Sequence, residues 1–202
     1  QGFICEGSPG KGQFAAVPWL AIFDPLVTTT ARRGYYVVFL YSALGPLYLS
    51  LNQGATAVRT EFRSETPRVL AERAALMRAR LSDFDELLPI RDLDLGSPQV
   101  LPRDYENGHA IGCMYRSASD ITEDKLASDL STILRAYRAL TFRGALDATP
   151  EANLRLEEDD VAVAPMSLTE VRRYRFNRRI ERNGNASAMA KLAHGLKCQI
   201  CE

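Results

Sequence analysis

The sequence predicts an α+β fold: a small, mostly antiparallel sheet with a central hairpin, packed against two long helices, plus a C-terminal helical tail. Three observations carry this. Residues 35–42 (YYVVFLYS) and 47–51 (LYLSL) are β-branched, aromatic or leucine almost throughout, and Gly45-Pro46 between them turns the chain. Residues 66–81 and about 120–142 carry apolar side chains at helical spacing behind capping residues. From residue 168 the helical period returns, first in an arginine-rich helix over 168–182 and then in a helix over 185–194 stopped by Gly195.

Taken in order, residues 7–12 (GSPGKG) are too rich in glycine and proline for a helix or central strand. Lys11 is not followed by Ser or Thr and no helical pattern opens behind it, so a nucleoside-triphosphate loop is excluded on spacing. The backbone of such a loop still suits another anion, a DNA phosphate for example. Residues 15–23 (AAVPWLAIF) read as a short buried strand that begins at Pro18, and residues 24–33 as a loop. In the hairpin, period-two geometry puts Tyr36, Val38 and Leu40 on one face and Tyr35, Val37, Phe39 and Tyr41 on the other. Both faces are apolar, so one is expected against the core and the other to wall a cavity or a partner. Thr66-Pro67 starts a helix as cap and first helical residue, with Val69, Leu70, Ala74, Met77 and Leu81 as its inner stripe. Residues 83–102 read as an irregular loop with one helical turn at 84–88. Residues 108–115 (GHAIGCMY) read as a strand preceded by Tyr105. Asp120 or Thr122 then caps a helix whose stripe is Leu126, Leu130, Ile133, Leu134 and Tyr137. The expected organisation is a domain over 1–142, an acidic linker over 143–167, and a tail over 168–202.

At 202 residues, 46% hydrophobic and 25% charged, the chain can bury a substantial core. No apolar run reaches the length of a membrane span. The sequence starts without methionine and stops one residue after a cysteine, as expected of a piece cut at both ends. A net charge of zero conceals segregation: residues 151–160 hold five acids and one base, and residues 172–182 hold six arginines and one acid. A nucleic-acid partner is compatible with that local field. Cys5, Cys113, Cys198 and Cys201 do not form the framework of a small secreted domain, which points to a reducing, cytoplasmic setting. Cys198 and Cys201 have the spacing of half a zinc knuckle.

His109 and His194 stand apart from any nucleophile or carboxylate at triad or metal-ligand spacing, and His109 reads as an ordinary surface or strand histidine. No catalytic constellation is visible in the chain. That leaves the aromatic residues. Tyr35, Tyr41 and Tyr48 read as core, whereas Trp19 beside the glycine-rich loop suits a platform for stacking a flat base.

GKGQFAAVPWLAIF, the hairpin GYYVVFLYSALGPLYLSLNQG, and YENGHAIGCMYRSAS with the following helix resemble the N-terminal DNA-recognition domain of McrB-type, modification-dependent (type IV) restriction proteins. The tail (RIERN, AK, HG and CQ-x-C) resembles the start of an HNH endonuclease domain. The resemblance implies a reader that flips a modified (5-methyl- or hydroxymethyl-) cytosine into a pocket lined by Trp19, Tyr36, Leu40 and Tyr105. It implies double-stranded DNA as partner; the glycine loop and the basic run then make Gly10, Lys11, Gly12, Arg172, Arg173, Arg175, Arg178 and Arg179 the expected phosphate contacts. Lys11 stands where a described relative carries an aromatic wedge, and is assigned to phosphate. No cofactor is expected in this chain, but zinc, through Cys198 and Cys201, and a divalent metal are expected for a complete HNH domain. The competing expectation is a protein-interaction or assembly module with no base pocket, in which only the HNH part meets DNA.

Overall fold

The structure, a computed structural model, describes residues 2–10 and 15–146. The expected arginine-rich helices, most of the acidic linker and the Cys198–Cys201 pair lie outside these residues. Five strands form one antiparallel sheet in sequence order: β1 (Ile4–Ser8), β2 (Trp19–Phe23), β3 (Tyr35–Tyr41), β4 (Leu47–Gln53) and β5 (Ile111–Tyr115). Between β4 and β5 run α1 (Ala55–Phe62), α2 (Thr66–Ala79) and α3 (Val100–Gly108), and α4 (Glu123–Phe142) follows β5. The α+β class and the central hairpin are as the sequence indicates.

Each face of β3 has its own core. Tyr35 and Val37 pack with Leu49 and Leu51 of β4, Met77 and Leu81 from α2 and its end, and Ile133, Ala136, Tyr137 and Leu140 of α4. Tyr36, Val38 and Leu40 pack on the opposite side with Val17, Phe23, Tyr48, Leu93 and Leu95. The expected helical stripes account for the first core. Thr122 caps α4, its Oγ1 accepting from Lys125 N, while Asp120 closes a capping box with Ser117 one turn earlier. Tyr137 ties α4 to the sheet, donating from its hydroxyl to Tyr35 O (3.1 Å). The packing continues past α4, where Arg143 bonds Arg80 O and Asp83 and Ala145 O accepts from Arg80.

Several local expectations are corrected. Gly7 and Ser8 belong to β1, because an edge strand tolerates glycine when a neighbour supplies the ladder. Thr66 is the first helical residue of α2 rather than its cap, and its hydroxyl donates back to Arg63 O. The segment over 83–102 does contain the helical turn at 84–88, closed by Leu88 N to Phe84 O (2.9 Å), but its last residues open α3. Gly108 ends α3 instead of beginning a strand. Helix α1 was not foreseen. Tyr35 and Tyr48 are in the core, but Tyr41 at the end of β3 is 52% exposed. His109 is buried, not a surface residue.

Helix α3 is held to α1 by a forked ion pair: Arg59 Nε meets Asp104 Oδ2 at 2.7 Å and Nη2 meets Oδ1 at 2.5 Å. The Asp104 side chain is 1% exposed, so removing its partner strands a buried carboxylate. Arg59→Ala is expected to lower stability by about 1–3 kcal/mol in urea unfolding, with Arg59→Lys intermediate. An unchanged midpoint for Arg59→Ala would show that α3 is held by other contacts.

Candidate functional site

A recess opens on the second face of the sheet, lined by Trp19, Ala31, Tyr36, Val38, Leu40, Asn52 and Tyr105. Strand register builds most of it. Trp19 on β2 lies opposite Leu40 on β3, and Tyr36 on β3 opposite Asn52 on β4, so cross-strand neighbours present their side chains to one face. Tyr105 comes from α3 and Ala31 from the loop before β3. All four residues expected from the sequence therefore meet in one place. Asn52 was missed because the strand was expected to end at residue 51; carrying the alternation of Tyr48 and Ser50 one step further finds it.

Tyr36 and Leu40 are buried, whereas Trp19 and Tyr105 are partly exposed. The Tyr36 hydroxyl donates to Ala31 O at 3.0 Å, and its ring meets Phe23 edge-on at 5.3 Å. Burial pushes the Tyr36 phenol well above its ordinary range, and burial, followed by the nearby Asp104 charge, pushes Tyr105 up to about 12. Both are neutral hydroxyls near neutral pH. The space open to water centres is about 10 Å³, room for one water. The lining combines three aromatic rings, aliphatic surface and one amide, with no carboxylate, imidazole or thiol. Such a lining can stack and orient a flat, uncharged ring; it has no group suited to breaking bonds.

A buried polar chain runs beneath the recess. Asn52 Nδ2 donates to Tyr105 O (3.0 Å) and to Ser50 Oγ (3.2 Å), and Ser50 Oγ lies 2.7 Å from His109 Nδ1. His109 Nε2 is 3.0 Å from Ile90 O, which can only accept. Nε2 therefore carries the proton and Nδ1 accepts from Ser50. Burial, together with the Arg78 and Arg91 charges, lowers the His109 pKa to about 4, against the opposing effect of the Ile90 carbonyl.

Trp19 also lines a second, open depression of about 380 Å³ with Gly7, Ser8, Pro9, Pro18, Leu20, Phe39, Tyr41 and Leu47. The glycine-rich loop leaves the sheet beside this residue, since Ser8 pairs with Trp19 and the loop's neck is closed by Ala15 N to Pro9 O at 2.8 Å. Gly10 has the left-handed φ of 126° that favours glycine. Lys11, Gly12, Arg172, Arg173, Arg175, Arg178, Arg179, Cys198 and Cys201 lie outside the described residues. Among the described residues no group of three metal-ligating side chains occurs, and no helix is long and apolar enough to cross a membrane.

The family model "MrcB-like, N-terminal domain" matches residues 1–142. The chain belongs to this family. The match takes in every described strand and helix and all seven lining residues. No curated protein matches the sequence.

Neutral His109 makes the fold acid-sensitive. Its native pKa of about 4 lies below the unfolded value of 6.5, so between these values the unfolded chain binds more protons. The contribution is complete above pH 6.5 and is lost as pH falls towards 4, on the order of 3 kcal/mol in all. Unfolding free energy measured across this window should fall more steeply in the wild type than in His109→Gln; equal slopes would contradict the assignment.

Proposed function

We propose that this domain reads double-stranded DNA by drawing a modified cytosine, 5-methyl or hydroxymethyl, out of the helix and holding it in the recess between Trp19, Tyr36, Leu40 and Tyr105. The convergence of these four residues, from three elements, is the observation that carries the reading. Membership of the MrcB-like family supports DNA as the partner. Extruding a base costs a few kcal/mol, and stacking on aromatic side chains returns roughly 1–3 kcal/mol per base. A recess with room for one water must open to admit a base. On this reading the opening falls to the two partly exposed members, Trp19 and Tyr105, and Trp19 also borders the open depression.

On this reading Gly10, Lys11 and Gly12 contact phosphate, and the arginines at 172, 173, 175, 178 and 179 add charge to the same partner. Residues 168–202 lead into an HNH nuclease, with Cys198 and Cys201 as half of its zinc site and a divalent metal in its catalytic centre. The domain thus delivers modified DNA for cleavage in a modification-dependent restriction protein. The open depression lined by Leu20, Phe39, Tyr41 and Leu47 favours the second reading, a protein-interaction or assembly module with DNA met only by the HNH part.

Gel-shift titration separates the two. Duplexes carrying one 5-methyl- or hydroxymethylcytosine should bind more tightly than the unmodified duplex. Trp19→Ala should bring all three to the same weak, salt-sensitive affinity. Equal binding of modified and unmodified duplexes by the wild type overturns the base-reading function.

A further inference from the structure

We propose that Arg32 and Arg33 form a phosphate clamp at the rim of the recess, gripping the DNA backbone next to the extruded nucleotide. The proposal rests on the DNA-reading function above and adds to it a contact besides those expected at residues 10–12 and 172–179.

The backbone under these arginines is fixed at nearly every step. Thr28 Oγ1 accepts from Thr30 N (3.2 Å) and donates to Thr30 O (2.9 Å), and Thr30 Oγ1 accepts from Arg32 N (3.3 Å). Ala31 O takes the Tyr36 hydroxyl, Arg32 O accepts from Ala57 N (2.9 Å), and Gly34 O accepts from Gly54 N (2.8 Å). Gly34 adopts φ +73°, and a Cβ on Gly54 would lie 2.2 Å from Arg33 N, so the loop sits directly on the end of β4. This anchoring serves Ala31, which lines the recess, and holds the next two residues at a set distance from it.

The side chains are treated differently. Arg32 and Arg33 are both exposed, and none of the ion pairs among the described residues includes either. Arg59, Arg68, Arg91 and Arg143 are paired with acids; exposed Arg63, Arg103, Arg116 and Arg135 are in none of these ion pairs either, and what sets Arg32 and Arg33 apart is their place directly after Ala31 of the recess. Arg32 and Arg33 are consecutive, so two positive charges start from one short, anchored stretch of backbone. The fork of N–H donors on each matches phosphate oxygens. A nucleotide whose base enters the recess leaves its flanking phosphates at the rim, which is where these arginines start. Sequence reading passed over them because two arginines are inconspicuous beside the six at 172–182.

The test uses the full chain, the Arg32→Ala/Arg33→Ala double variant and the Arg32→Lys/Arg33→Lys variant, titrated against fluorescent duplexes with and without one 5-methylcytosine at several salt concentrations. Each lost phosphate contact reduces the slope of log K against log salt by about 0.9, so the alanine variant should be shallower by about 2. Its affinity should fall roughly 10-fold or more near 0.1 M salt for both duplexes alike, leaving their ratio unchanged. The lysine variant should restore the slope. A slope unchanged by the alanine substitutions overturns the clamp. So does a wild type that binds neither duplex, or an alanine variant whose thermal unfolding shows that it has lost its fold while the lysine variant also keeps the shallow slope. If the wild type binds both duplexes equally yet the alanine variant is shallower, the clamp stands as a general DNA contact and base reading alone falls.

Discussion

The rest of the molecule depends on one constraint: β3 is apolar on both faces, so both faces must be covered. Alternation sends Tyr35 and Val37 one way and Tyr36, Val38 and Leu40 the other, into two separate cores. A one-residue slip against β2 or β4 would exchange the two sets and break both cores at once. One face is covered by α2 and α4, regular helices with long apolar stripes. The other is covered by shorter pieces: α3, the segment carrying Leu93 and Leu95, and the loop around Ala31. Short pieces close less completely than a long helix. The recess is the gap left where α3 and the loop around Ala31 meet over β2, β3 and β4.

The same face carries the polar residues Ser50 and Asn52 on β4, and a buried polar group must find partners. Asn52 meets the requirement by bonding Ser50 and the backbone of Tyr105, and Ser50 by bonding His109. The position of Tyr105 is thereby tied to the sheet, while Asp104, its neighbour in α3, is tied to α1 through Arg59. The wall formed by α3 is held on both sides by polar contacts, and Tyr36 is pinned by its hydroxyl to Ala31 O, so of the rings lining the recess Trp19 and Tyr105 are the partly exposed ones. A fixed frame suits recognition of one planar group.

Signals confined to a few neighbouring residues were legible in the sequence. The hairpin, the stripes of α2 and α4 and the shared face of Tyr36 and Leu40 follow from periods of 2 and 3.6. Trp19 and Tyr105 could be joined to them only through family resemblance, because no local rule relates residue 19 to residue 105. What escaped was set by distant partners. Helix α1 has little apolar pattern and is stabilised by its packing and by Arg59 reaching Asp104, 45 residues away. Helix α3 carries Pro102, which reads as a breaker but is tolerated in the first turn, where its missing N–H has no helical acceptor. His109 looked superficial because its partners, Ser50 and Ile90, lie on other segments. Tyr41 looked like core because its strand is apolar, yet it sits where the covering helices no longer reach.

Trp19 is the sole tryptophan of the chain and lines the recess, so its fluorescence reports directly on whether a base arrives there. Titration with a duplex containing one 5-methylcytosine is predicted to quench the emission to a saturable limit. The unmodified duplex, at concentrations giving equal occupancy, should leave the emission nearly unchanged. Equal quenching by both duplexes, or none by the modified one while it is demonstrably bound, would contradict a base held against Trp19.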